Sequence, residues 1–293
     1  MKIYSIGSFN IDYFYSLPRF VGAGETLSAS ALKVLPGGKG LNQSVALHRA
    51  GARVIPCGLV GRDGEMLIDV LKTVGADASR VKKTDLPSGH AIIQVDAAGQ
   101  NSIIVYHGAN FAFDEAYFRE VLADAEPGDA VVLQNEINDV GLCIEIAKEK
   151  GMRVVLNPSP FDDGIFSLPL DKVDLFLCNE LEGASLTGET DPEAILAAMA
   201  AKYPGDVLLT LGGSGSVYRC GSGVYRHGIF EVPVADTTGA GDTFTGFFLF
   251  SLIAGESPEA ALRTASAASA IVVSRMGAAL SIPTMDEVKE FLQ

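Results

Sequence analysis

The stretch AVVLQNEINDVGLCIEIAKEKGMRVVLN, residues 130–157, decides the fold class. It opens on an apolar run (130–134), continues as a helical pattern (138–150) closed by Gly151, and ends on a second apolar run (153–157). Strands that are apolar throughout suit a sheet covered on both faces, and a helical crossover between them suits parallel pairing. Outward from this unit the alternation recurs. Further strands are expected at 2–7, 53–59, 173–178 and 206–211, with helices at 42–50, 64–74, 114–124, 191–202, 240–254, 258–275 and 284–292. Gly51, Gly75, Gly151 and Gly255 stand where C-terminal caps belong, and Thr284 with Glu287 has capping-box spacing. The expectation is one α/β domain over residues 1–293: a mostly parallel central sheet, helices on both faces, and ligands at the carboxyl ends of the strands.

One region breaks the alternation. His90–Asp96 and Asn101–His107 flank Ala97–Gln100, which reads as a β-hairpin with a four-residue loop. With the strand-like segments near the N-terminus it forms a small second sheet, spanning about 10–17, 27–36 and 90–107. So small a sheet cannot bury both faces alone. It is expected to act as a lid over the active site, or as a flap through which two copies form a homodimer.

Composition removes several classes of function. With 48% apolar and 20% charged residues the chain can bury a substantial core. Thirty-six acidic against 22 basic side chains give a net charge of −14, which argues against nucleic acid or an anionic membrane as the main partner. The dispersed Cys57, Cys143, Cys178 and Cys220 include no CxxC pair and read as buried, reduced thiols. The first residues read directly as a strand, with no signal peptide and no long uncharged apolar run, so the expected location is the cytoplasm.

The chemistry concentrates in Asp236-Thr-Thr-Gly-Ala-Gly-Asp-Thr-Phe-Thr245. Asp242 falls just inside the start of a helix, behind Gly239, Ala240 and Gly241. Small residues there leave N–H groups uncovered at a helix end carrying partial positive charge, so an anion site stands beside a potential base. A phosphoryl group in transit needs that pairing. Read alone, the segment is equally a capped helix after a tight turn. Asn10 and Asp12, two apart on a strand, share one face and could grip adjacent hydroxyls; they equally suit a solvent-facing strand. Pro36-Gly-Gly-Lys-Gly-Leu-Asn-Gln43 lets backbone approach a ligand closely. It is not a Walker A loop, because Gly40 follows Lys39 in place of Ser or Thr.

Taken in order, the Asn10/Asp12 pair, GGKGLNQ at 37–43, Asn179-Glu-Leu-Glu182 and DTTGAGDTF at 236–244 resemble the PfkB-type, or ribokinase-like, carbohydrate kinases. The similarity spans residues 3 to 283, and the GGKGxNQ form points to the ribokinase branch. The resemblance implies the ribokinase-like fold and an ATP-dependent sugar kinase, with D-ribose to ribose 5-phosphate as the leading reaction. It implies that Asp242 is the catalytic base and that the N–H groups of Gly239, Ala240, Gly241 and Asp242 form an anion hole. Asn10, Asp12, Gly38, Lys39, Asn42 and Glu136 would hold the sugar. Thr210, Gly212 and Gly215 would lie along ATP, Asn179 would position phosphate, and Glu182 would act on Mg²⁺ through water. Asp236, Thr238, Val272, Gly277 and Ser281 match a monovalent-cation site, implying potassium. The adenine pocket should involve Ala265–Ser269, where only small residues occur. The four histidines match no catalytic role, and the Phe244, Phe247, Phe248 and Phe250 cluster reads as helix core.

Other readings stay open. Another sugar or a nucleoside (fructose, deoxyribose, adenosine) is the nearest rival substrate. A dinucleotide-dependent oxidoreductase would need GxGxxG after the first strand, where Gly7-Ser-Phe-Asn10 stands instead. A non-catalytic sugar-binding module would not need an intact Asp242.

Overall fold

Thirteen strands divide between two sheets in the computed structural model, which describes residues 1–293. They are β1 (Ile3–Ile6), β2 (Asn10–Ser16), β3 (Ala31–Gly37), β4 (Val54–Val60), β5 (Arg80–Lys83), β6 (Gly89–Val95), β7 (Asn101–Tyr106), β8 (Ala130–Gln134), β9 (Arg153–Asn157), β10 (Leu175–Asn179), β11 (Asp206–Thr210), β12 (Ser216–Cys220) and β13 (Gly223–His227). The helices are α1 (Lys39–Ala50), α2 (Glu65–Val74), α3 (Glu115–Val121), α4 (Val140–Glu149), α5 (Glu180–Thr187), α6 (Pro192–Lys202), α7 (Ala240–Ile253), α8 (Pro258–Val273) and α9 (Met285–Phe291).

The larger sheet has the order β13-β12-β11-β10-β9-β8-β1-β4-β5 and is parallel except at β12 and β13. Residues 130–157 fold as expected, β8 and β9 pairing in parallel with Ala130 opposite Arg153. From β1 the chain proceeds outward through β4 and β5, then returns to β8 on the other side. The direction of strand order reverses between β1 and β8, and a polar cavity lies beside the carboxyl ends of the neighbouring β9, β10 and β11. Side chains alternate across the sheet, so Val131 and Leu133 of β8 enter one core while Val132 enters the other. The two cores are nearly equal, at 36 and 34 buried residues, which is why the strands are apolar on both faces.

Several elements lay outside the sequence expectations. Helix α1 starts at Lys39, three residues before the expected position. Helix α5 is an addition to the expected elements: Asn179 and Glu182, besides being motif residues, form both halves of a capping box that starts it. Strands β5, β12 and β13 were also missed, β12 and β13 forming an antiparallel hairpin beyond β11. The box at Thr284 and Glu287 is formed as expected.

The second sheet has the order β3-β2-β6-β7. Its hairpin pairs β6 with β7, Ile92 opposite Ile104, and β2 lies parallel to β6 with Asn10 opposite Gly89. Strand β7 is exposed along its whole length, and Ile103 and Ile104 are 52% and 58% exposed although they point to opposite faces.

Candidate active site

Helix α7 begins at Gly239, whose φ of 75° is in the left-handed region that glycine adopts without strain. The turn brings Asp242 into the first helical turn, facing helix α1. Both its oxygens are engaged by amides: Asn42 Nδ2 donates to Oδ2 (2.9 Å) and Gln43 Nε2 donates to Oδ1 (3.0 Å). The carboxylate is therefore held as an acceptor, with no cation paired to it. Of the four expected anion-hole groups, the N–H of Ala240 donates to Thr237 O (3.2 Å), while those of Gly239, Gly241 and Asp242 meet no acceptor in the protein. Three of the four expected N–H groups are thus left without a protein acceptor.

Helix α1 is carried to this turn by close backbone packing. A Cβ on Gly40 would lie 2.5 Å from the Gly7 carbonyl carbon, so only glycine lets the helix start against the end of β1. Leu41 N donates to Ser8 O (3.0 Å) across the same contact. Lys39 and Asp242 border a polar cavity of about 260 Å³ together with Asn179, Glu182 and Thr210. Burial works against the charge of Lys39, but the carboxylates of Asp242, Glu136 and Glu182 outweigh it and hold the ammonium above its ordinary pKa.

The residues expected at the sugar gather at the base of the small sheet. Asp12 lies on β2 opposite Leu35 of β3. Burial, reinforced by the nearby Glu136 charge, pushes its carboxyl up to about 7. Glu136, two residues past β8, accepts from the Ser8 hydroxyl and from Lys39 N (3.2 Å). The side chain of Asn10 is buried, its Oδ1 accepting from Asn110 Nδ2 (2.7 Å). Asn110 Oδ1 in turn accepts from Phe9 N (3.0 Å). Gly38 precedes α1 at a φ of 95°. Asn42, expected beside the sugar, directs its NH₂ to Asp242, and its Oδ1 is buried without a partner in the protein.

Of the residues expected along ATP, Thr210 ends β11 and Gly212 and Gly215 bracket the following turn. They border an apolar cavity of about 480 Å³ that meets the polar one along Thr210, Thr237, Ala240 and Gly241. Ser266 and Ser269 of α8 line it as the small-residue reading of 265–269 expected. The apolar walls come from Ile229, Phe230, Val232 and Val234, a segment the sequence reading did not single out. Phe247 and Phe248 are core residues, but Phe244 also lines this cavity, correcting its assignment to the core alone.

Asn179 and Glu182 bind each other. Asn179 Oδ1 accepts from Glu182 N (2.9 Å), and Glu182 accepts from Asn179 N (2.9 Å) and Nδ2 (3.0 Å). No three His, Cys, Asp or Glu side chains converge as a metal cage. Two carboxylates, Glu182 and Asp242, bordering a polar cavity without closing a cage fit a hard cation that retains most of its water.

The expected monovalent-cation residues converge in part. Asp236 Oδ1 accepts from Thr238 N (2.9 Å) and Oγ1 (2.6 Å), and Oδ2 accepts from Gly277 N (3.1 Å). Ser281 Oγ donates towards Gly277 O (2.7 Å). Val272 O, at the end of α8, accepts from Arg275 N (3.0 Å). The donor set is all hard oxygen, as an alkali cation requires.

Sequence reasoning missed Ser8, Gln43, Asn110 and Gln134. Each contacts another residue of the site; Gln43 closes the GGKGLNQ motif without having been assigned a role, while Ser8, Asn110 and Gln134 lie outside the motifs. The histidines stay outside the chemistry, His48 for example bonding to Val74 O (2.9 Å). Burial raises the thiol pKa values of Cys57, Cys143 and Cys178, as unreactive thiols require.

Residues 1–285 match the family model described as "pfkB family carbohydrate kinase". A protein named ribokinase from Haemophilus influenzae is 37% identical, the alignment covering 98% of this chain and 97% of the relative. A Bacillus subtilis protein of the same name is 36% identical, with 98% of each covered. The structure of Arabidopsis thaliana ribokinase complexed with ribose and ATP superposes with a TM-score of 0.89 at 32% identity, covering all of this chain and 98% of that one. The chain belongs to the pfkB family and is a carbohydrate kinase.

Proposed function

We propose that this pfkB-family kinase transfers the γ-phosphoryl group of ATP to the primary hydroxyl of ribose, giving ribose 5-phosphate. The observation that carries the reading is the position of Asp242. Its carboxylate, held as an acceptor by two amides, borders the polar cavity next to Ala240 and Gly241, which line both cavities, beside three unspent N–H groups. In this reading Asp242 takes the proton of the attacking hydroxyl, while the amides of Gly239, Gly241 and Asp242 accept charge growing on the transferred group. The apolar cavity, with Ser266 and Ser269, suits an adenine ring, and Thr210, Gly212 and Gly215 run towards the phosphates. Asn10, Asp12, Lys39 and Glu136 hold the sugar hydroxyls, as the small, fully hydroxylated substrate of the proteins named ribokinase would require. Asn179 and Glu182 face the phosphates; when bound, Mg²⁺ would supply charge neutralisation there, held by Glu182 through water.

A potassium ion fits Asp236, Thr238, Ser281 and the carbonyls of Val272 and Gly277, where it would stiffen the loop ahead of Gly239. A coupled ADP-release assay tests both readings together. Ribose is expected to be turned over faster than fructose, 2-deoxyribose or adenosine, and sodium in place of potassium is expected to slow it. Equal rates across the panel would remove ribose as the substrate, and indifference to the cation would remove the potassium site.

The small sheet is read as a lid and dimer flap. Its strand β7 presents apolar side chains to solvent on both faces, which a second copy would cover. Sedimentation should give a dimer that Ile103→Lys with Ile104→Lys dissociates; a monomeric parent protein would rule the flap out. No helix is long and apolar enough to cross a membrane. The four cysteines are free, and with ATP as co-substrate the proposed location is the cytoplasm.

A further inference from the structure

We infer that Gln43 and Gln134 form a directional amide relay that positions Asp242 for proton abstraction. Gln134, at the end of β8, is fully buried and donates through Nε2 to Gln43 Oε1 (2.8 Å). Gln43, 1% exposed, donates through Nε2 to Asp242 Oδ1 (3.0 Å). An amide has two ends of nearly equal size, so shape alone does not decide which faces the carboxylate. If both amides turned over together, every contact within the pair would survive, but a carbonyl would confront Asp242. Polarity is therefore the functional variable.

The far end of the pair is left unpaired. Gln134 Oε1 is buried with no hydrogen-bond partner, pressed against Gly7, where even a Cβ would come within 1.9 Å. Asn42, which donates to the other oxygen of Asp242, likewise leaves its Oδ1 buried and unpaired. Two orphaned carbonyls behind two donors are what results when amides are aimed at an anion rather than satisfied for stability. With a donor on each oxygen, the plane of the carboxylate is set, and one lone pair per oxygen stays available to the incoming hydroxyl. Gln43 and Gln134 touch no reacting atom in this arrangement; they are positioning residues.

The inference rests on Asp242 being the base, and the test separates the two. Gln43→Met and Gln134→Met keep volume and remove the donors. They are expected to lower kcat by about 30-fold and about tenfold respectively, with KM for ATP and sugar within about threefold of the parent. Gln134→Glu carries a sharper signature. Its introduced carboxyl can donate to Gln43 only while protonated, so kcat should fall with rising pH along a limb that neither the parent nor Gln134→Met shows. Gln43→Met added to Asp242→Asn should cost nothing more than Asp242→Asn alone. Near-parental kcat in both methionine variants overturns the relay, as does a Gln134→Glu profile parallel to that of Gln134→Met. If Gln134 variants do not fold, Gln43→Met and its double-variant comparison decide the matter. Substantial turnover by Asp242→Asn would instead refute the base itself.

Discussion

Asp242→Asn should lower kcat by about 10²- to 10⁴-fold, the range expected for removing one general base. The sugar's dissociation constant should change little, because the carboxylate is held by Asn42 and Gln43 rather than by groups of the small sheet. An amide at this position keeps the volume but must turn one NH₂ hydrogen towards an amide that is itself a donor. The substitution therefore disturbs Gln43 or Asn42 as well as removing the acceptor. Single-turnover kinetics separates the effects: the chemical step should slow while binding of ATP and sugar is preserved. Turnover within tenfold of the parent would mean that the hydroxyl loses its proton elsewhere, leaving Asp242 as a helix-capping residue.

Sugar affinity should rise with pH through neutrality, by up to tenfold per pH unit below the free-enzyme pKa, the limiting slope for one linked proton. The group responsible is Asp12, whose carboxyl is pushed up to about 7 by burial and by Glu136. A carboxylate accepts two sugar hydroxyls where the protonated form accepts less well, so binding draws the proton off. Calorimetry near pH 7 in buffers of differing ionisation enthalpy should detect up to about half a proton released per sugar bound. Asp12→Asn should abolish the release, flatten the pH dependence and weaken sugar binding by roughly 10- to 100-fold, the worth of a charge-assisted hydrogen bond. The stability of the free protein should run the opposite way. A carboxyl whose folded pKa is raised contributes stability that is complete below its unfolded value near 3.8 and is lost as pH rises through about 7. Melting temperature should therefore decline across that window in the parent more than in Asp12→Asn. An unchanged pH profile in Asp12→Asn would place the titration on another group.

Much of this molecule was legible as local pattern. The apolar runs of β8 and β9 and the helical pattern between them repeat the environment of a doubly covered sheet. The glycine caps and the Thr284 box end or begin helices through contacts within four residues. Motif residues appeared in the right neighbourhood too, since Gly239 and Asp242 are tied to the start of α7 by backbone geometry alone. The failures share a cause. Helix α5 was hidden because the side chains that cap it were read for chemistry, and the hairpin of β12 and β13 because its half-exposed strands carry a mixed pattern. Ile229–Val234 has no regular element, so its part in the apolar cavity follows only from what packs over it.

The order of residues by itself determined the α/β layering, the helix ends and the glycine-rich turn that offers N–H groups to an anion. All of these are set by φ preferences and side-chain periodicity over a few neighbouring positions. Which amide reaches which carboxylate was decided by tertiary structure alone. Gln43 meets Asp242 across 199 positions and Gln134 meets Gln43 across 91, contacts that exist only because α1 packs against both β1 and α7. A hydrogen bond falls away within a few tenths of an ångström, and no local rule of the chain carries positional information that fine.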